Sequence, residues 1–121
     1  MANYLVDSDI IIWYLKGREK EAVLLEELAS KGELFFLVVT ITEVRAGLTK
    51  EAKKIISQLK NIFTSIPINS ETAELAGEYK QKYQLDIADM FIAASAVLAD
   101  LTLVTYNKKH FPMPEIKLFN F

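Results

Sequence analysis

Tyr-Leu-Val-Asp-Ser-Asp-Ile-Ile-Ile-Trp-Tyr-Leu, residues 4–15, joins two apolar runs through a polar triplet. Tyr4 to Val6 has the length and composition of a buried parallel strand, Ser8 and Asp9 are good N-cap residues, and Ile10 to Leu15 continues as an apolar helix. A strand feeding a helix opens a βα unit, and the pattern repeats downstream. After Gly17, residues Glu19 to Lys31 predict a helix with Ala22, Leu25, Leu28 and Ala29 on one face, ended by Gly32 in the left-handed C′ role. Leu34 to Val39 is β-branched and aromatic enough for a second buried strand.

Thr40 to Leu48 begins a third helix, and Thr49 to Phe63 reads as another. In the latter, Ala52, Ile55, Ile56, Leu59 and Phe63 fall at helical spacing, with Lys50, Lys53, Lys54 and Lys60 mostly outward. Ser65 to Ile68 is a brief strand whose Pro67 suits a sheet edge or a strand end. Asn69 or Ser70 caps a helix facing inward with Ala73, Ala76, Tyr79 and Tyr83, and Leu85 to Ala99 forms a helix rich in small residues. Leu101 to Tyr106 returns as a strong strand. Pro112 and Pro114 mark a loop before a last short strand at Ile116 to Phe119.

Strands alternating with helices predict an α/β fold, with a mainly parallel sheet of about five strands covered on both faces, because parallel connections need right-handed helical crossovers. At 121 residues, half of them hydrophobic (51%), residues 1–121 read as one domain with one core. The net charge of −2 gives no general attraction to nucleic acid, so any RNA contact must use local basic patches or bound cations. Absence of cysteine excludes disulfides, thiolate metal sites and cysteine nucleophiles. The N-terminal residues have no basic leader before an apolar stretch, and the apolar runs fall far below the roughly 18 residues that span a bilayer. A soluble cytoplasmic protein without a membrane partner is the expectation.

In such a sheet, ligands bind beyond the carboxyl ends of the strands, near the reversal of strand order. Asp7 and Asn107 lie at such ends, and Glu43 and Asp89 lie near helix starts. Each has a bland explanation: Asp7 as a cap or turn residue, Glu43 closing a capping box with Thr40, Asp89 in the first turn of a helix capped by Asp86, and Asn107 in a turn. Together they place oxygen donors at one end of one sheet. Mg²⁺ and Mn²⁺ prefer such hard donors, and magnesium keeps several waters, so a few carboxylates plus a substrate phosphate suffice. Capping and metal binding are compatible, since a helix N-terminus favours the ionised carboxylate.

The segments 4–15, Thr-Ile-Thr-Glu-Val-Arg-Ala-Gly-Leu (40–48), Asp-Met-Phe-Ile-Ala-Ala-Ser-Ala (89–96) and Leu-Thr-Leu-Val-Thr-Tyr-Asn-Lys-Lys-His-Phe (101–111) resemble, in order, the motifs of the PIN domain. Within it, the chain is similar to VapC-type toxins of toxin-antitoxin pairs, and the resemblance covers essentially the whole chain. It implies a three-layer α/β/α sandwich and an Mg²⁺-dependent endoribonuclease, with Mn²⁺ as a substitute. It further implies 5′-phosphate and 3′-hydroxyl products, a homodimer, a cognate VapB-type antitoxin, and DNA contact only through that antitoxin.

By the same resemblance, Asp7, Glu43 and Asp89 match the acidic metal-binding positions and Asn107 matches the fourth. Ser8 and Thr105 match supporting hydroxyl positions. Asp9 departs from the pattern, where a small polar residue is commoner, and is read as a cap. Lys108 and Lys109 are candidate RNA-backbone contacts, as is Arg45, which alternatively pairs with the site carboxylates. His110 is placed on a solvated loop rather than in catalysis. Trp13 and Tyr14 are assigned to core or dimer interface ahead of base stacking.

Two other functions fit parts of the pattern. Val-Asp-Ser-Asp after a strand imitates the nucleophile of HAD-type phosphatases, which need a later lysine and acidic motif; beyond Thr105 the only acidic residue is Glu115. A phospho-receiver switch has a comparable length and acidic pocket, but needs an aspartate ending its central strand, and Val38-Val39-Thr40 and Ser65-Ile66-Pro67 offer none. A PIN-like domain that binds RNA or protein without cleaving is a third reading, opposed by the complete acidic set.

Overall fold

The computed structural model describes residues 2–48 and 50–121. Its five strands, β1 (Tyr4–Val6), β2 (Leu34–Leu37), β3 (Thr64–Ile66), β4 (Thr102–Val104) and β5 (Lys117–Leu118), form one sheet in the order β3-β2-β1-β4-β5. Every neighbouring pair is parallel. Six α-helices connect them: α1 (Ser8–Leu15), α2 (Glu19–Ala29), α3 (Val38–Gly47), α4 (Ala52–Ile62), α5 (Ser70–Tyr83) and α6 (Ile87–Leu98).

The inner strands β2, β1 and β4 are mostly buried on both faces, and alternation divides their side chains between two cores. Tyr4, Val6, Leu34, Phe36 and Val104 pack with α1 to α4, through Ile10, Ile11, Leu24, Leu25, Leu28, Val44 and Leu59. Leu5, Leu37 and Leu103 point the other way, onto Ala76 and Tyr79 of α5 and Met90, Ala93 and Ala94 of α6. The result is the expected three-layer sandwich. Pro67 lies just past β3, an edge strand, where its missing N–H leaves the ladder intact.

Local readings changed where tertiary contacts decide. The buried face of α2 is Glu21, Leu24, Leu25 and Leu28; Ala29 is exposed, and a fully buried glutamate stands where periodicity places none. On α5, Thr72, Ala76 and Tyr79 are buried and Ala73 is exposed, with Asn69 as the cap through its bond from the Thr72 N–H at 3.0 Å. Gly32 is not a left-handed cap. Glycine fits there because a Cβ would stand 1.8 Å from the carbonyl oxygen of Ala2. Among the glycines, left-handed backbone occurs instead at Gly17 (φ 84°), between α1 and α2. The predicted start of the fourth helix at Thr49 lies outside the described residues. The helix runs from Ala52, and Leu59 and the following Phe63 are buried.

The order β3-β2-β1-β4-β5 reverses direction at β1, so the crevice of the sheet opens beyond the carboxyl ends of β1 and β4. Asp7 follows one of these strands and Thr105 the other.

Candidate active site

The β1 ladder runs one residue past the strand: the Asp7 N–H donates to the Val104 carbonyl at 3.0 Å. With extended backbone (φ −69°, ψ 153°), Asp7 turns its Oδ1 back to accept the Ser8 N–H at 2.8 Å. Asp7, rather than Ser8 or Asp9, is therefore the N-cap of α1. Its Oδ2 accepts the Thr105 hydroxyl at 2.7 Å, so both oxygens are held. At 6% exposure, burial pushes its pKa from 3.8 up to about 6, against the lowering effect of the Thr105 and Ser8 bonds and with added repulsion from Asp89 and Asp9.

Ser8, also buried, donates its hydroxyl to Glu43 Oε1 at 2.9 Å. A serine has one hydroxyl proton, so in the second contact, 2.9 Å from Thr40 Oγ1, Thr40 is the donor. The chain Thr40 to Ser8 to Glu43 stands in place of the capping box that was the bland alternative for Glu43. Because α3 starts at Val38 with Leu37 as its cap, Thr40 sits in the first turn and Glu43 in the second. Thr40, read from the sequence only as a capping partner of Glu43, is a site residue. Its signal was its place three residues before Glu43, on the same helix face.

Asp9 is not a cap either; its Oδ2 accepts the Asn107 side-chain amide at 3.1 Å. The Asn107 backbone N–H donates to Thr105 Oγ1 at 3.1 Å, so Thr105 links Asn107 to Asp7. Asp86 caps α6 by accepting the Ala88 N–H at 2.8 Å. Asp89 follows in the first turn, with Oδ2 3.0 Å from His110 Nδ1. Burial raises the Asp89 pKa, His110 lowers it, and Asp86 and Asp9 raise it. His110 belongs to a short 3-10 turn, Lys108–His110, and its N–H donates to the Asn107 carbonyl at 2.9 Å. The residue read as loop is thus tied to two candidate ligands.

Asp7, Ser8, Glu43, Thr105 and Asn107 join through one bonded network, and Asp89 lies close enough for its charge to raise the Asp7 pKa. Among the described residues, no three acidic or histidine side chains approach closely enough to hold one ion directly. Ser8 holds Glu43 and His110 holds Asp89, while like charges oppose closer approach. Equally, no lysine or arginine among the described residues pairs with Asp7, Asp9, Glu43, Asp86 or Asp89. Arg45, expected as a possible partner, instead donates to the Leu48 carbonyl at 3.3 Å. Hard oxygen donors with little cationic compensation fit a hydrated divalent ion, and magnesium retains water between itself and some of its ligands.

The family model for the PIN domain matches residues 4–115. Ribonuclease VapC10 of Mycobacterium tuberculosis is 32% identical over 116 residues, covering 92% of this chain and 87% of that protein. The chain is a PIN-domain protein of the VapC group. A chain of a toxin-antitoxin complex from Klebsiella pneumoniae superposes with a TM-score of 0.79 at 29% identity, covering 93% of this chain and 94% of that one. VapBC2 from Rickettsia felis, bound to a DNA fragment from its promoter, shares the fold at a TM-score of 0.81 and 22% identity, over 98% of both chains. Membership of the PIN family removes the phosphatase and receiver alternatives. The central strand is β1, and Asp7, which follows it, stands where a receiver carries its aspartate, although both oxygens of that carboxylate are committed.

Proposed function

We propose that this PIN domain is a divalent-cation-dependent endoribonuclease, the toxin of a VapBC-type pair, with Asp7, Glu43, Asp89 and Asn107 as its metal-binding and catalytic residues. The observation that carries this is the group of carboxylates at the strand-order reversal with no lysine or arginine paired to them among the described residues. The names of the similar proteins, Ribonuclease VapC10 among them, support the RNA-cleaving half of the reading. Both helical layers share one sheet, which supports treating residues 1–121 as one functional domain.

Bound among these residues, Mg²⁺ or Mn²⁺ would activate a water and neutralise charge growing on the phosphate oxygens. Hydrolysis joins the water oxygen to phosphorus, breaks the bond to the 3′ oxygen and leaves a 5′-phosphate and a 3′-hydroxyl. Asp7 is fixed by two hydrogen bonds, so it meets an ion without losing side-chain freedom at that moment. Ser8, driven by Thr40, orients Glu43, while Thr105 and Asp9 orient Asn107 from its backbone and side chain. Arg45, Lys108 and Lys109 are the proposed RNA-backbone contacts.

The proposed partners are an RNA substrate, a VapB-type antitoxin, and a second copy in a homodimer. DNA is reached through the antitoxin, as the promoter-bound Rickettsia complex suggests by analogy. No helix among the described residues is long and apolar enough to cross a membrane, and the proposed location is the cytoplasm. The test is single-turnover cleavage of labelled RNA with Mg²⁺ or Mn²⁺, with and without chelator. Wild type is expected to cleave only with metal, and Asp7→Asn and Asp89→Asn to lose at least about 100-fold, near 3 kcal/mol of transition-state stabilisation. Equal cleavage by folded wild type and variants would refute the assignment.

A further inference from the structure

Trp13 is 39% exposed and Phe121 47%, large aromatic surfaces that a core would normally claim. Each carries a cation. The Arg18 guanidinium lies 4.3 Å and the Lys16 ammonium 5.0 Å from the centre of a Trp13 ring, and Lys108 lies 5.4 Å from the Phe121 ring. Between them stands Tyr106, with Lys20 at 5.2 Å from its ring and Phe121 at 5.4 Å between centroids.

The two groups are joined through Glu21. Arg18 Nε is 3.1 Å from Glu21 Oε1, and the Tyr106 hydroxyl donates to the other oxygen of Glu21. Glu21 is fully buried, and the Tyr106 hydroxyl, followed by Arg18 and Lys20, holds its pKa below the ordinary glutamate range. Its charge is spent inward, fixing Arg18 and Tyr106, and the face that remains is cationic and aromatic. Within residues 13–20 the only acidic residue is Glu19. Tyr106 lines one surface depression with Asn107, Lys108 and His110, so this end of the line lies beside the acidic cleft.

We propose that the line from Tyr106 and Phe121 to Arg18 and Trp13 is a track for unpaired RNA, leading a single strand into the acidic cleft. The proposal rests on the ribonuclease reading and names the form of its substrate. Ring faces take bases by stacking, and the adjoining ammonium and guanidinium groups take phosphates; that combination binds single strands with little regard to sequence. A duplex hides its base faces and cannot use it. A protein-docking face would instead present a contiguous apolar centre depleted of charge, whereas here every ring has a cation beside it. The strongly negative substrate also explains how a chain of net charge −2 draws nucleic acid to an acidic cleft: the attraction is local.

The chain has a single tryptophan, which makes the track directly observable. In the Asp89→Asn protein with chelator, an unpaired oligoribonucleotide is expected to quench Trp13 fluorescence, and the duplex of the same sequence to leave it unchanged. By anisotropy, Trp13→Ala and Phe121→Ala should each weaken single-strand binding by about 5-fold or more. Trp13→Phe should recover most of the loss. Leu98→Ala, an exposed apolar residue at the opposite end of the sheet, should bind as the parent does.

Unquenched fluorescence with unaltered affinity in both aromatic variants, while wild type still cleaves RNA with metal, would overturn the track and leave the ribonuclease reading standing. Loss of antitoxin binding without loss of RNA binding in Trp13→Ala would also overturn it, assigning the surface to protein. Absence of metal-dependent cleavage by wild type would overturn the ribonuclease reading itself.

Discussion

Asp7 shows how a candidate site stores unfavourable energy in one side chain. Its pKa is raised from 3.8 to about 6, chiefly by burial, so keeping it ionised at pH 7 costs roughly 3 kcal/mol relative to the unfolded chain. Since the folded value is the higher one, this group's share of stability is fully present below pH 3.8 and is lost as pH rises through about 6. Without metal, Asp7→Asn should therefore melt higher than wild type at pH 7, and the gap should close as pH falls toward 4; thermal melts across that range in chelator check it. The same variant should be inactive, so that stability and function separate at one atom. Ser8→Ala frees Glu43, and His110→Ala frees Asp89. Each is expected to lower single-turnover cleavage by about 10- to 100-fold, with the fold retained by circular dichroism. Asp7, Ser8 and Thr105 were legible because a strand end and its next residue announce themselves in sequence. Thr40, His110 and Glu21 were not, because what gives each its role is a partner 32, 21 or 85 positions away.

At the level of elements, helices and strands were legible where an apolar run had one possible home, as at Tyr4–Val6 and in α6. They were misread where propensity and packing disagree. Val38 and Val39 favour a strand by composition, yet they form the first turn of α3, because β2 is complete once Leu37 has paired with Ile66 at the sheet's end. Moving the helix start two residues toward the N-terminus changes Thr40 from a cap to a hydroxyl relay and turns Glu43 toward Ser8. The α2 face was displaced for a different reason: Glu21 looks like a solvated charge until Tyr106 and Arg18 are brought over it. Gly32 makes a third case, its role being a close approach rather than a turn. Gly32→Ala forces the Ala2 carbonyl aside, and a loss of about 1–3 kcal/mol is expected by urea denaturation, with cleavage per folded molecule unchanged because the site is at the other end of the sheet.

For the whole molecule, the sequence makes a parallel sheet evident without revealing its strand order. That order does the functional work, because placing β1 beside β4 brings Asp7 and Thr105 together from 98 positions apart. Glu43 arrives through the β2 crossover, and Asp89 through the start of α6 on the opposite layer. Asp7, Thr105, Glu43 and Asp89 thus come from both helical layers to one end of the sheet, bonded to serine, threonine or histidine and, among the described residues, without a lysine or arginine partner. The most direct test is Mn²⁺ affinity, by calorimetry or by the electron paramagnetic resonance of the free ion, for wild type, Asp7→Asn, Glu43→Gln and Asp89→Asn. Each substitution should weaken binding by about 10-fold or more, since each removes a ligand or the charge beside it. Folded variants that bind Mn²⁺ as tightly as wild type would show that these residues do not share a cation.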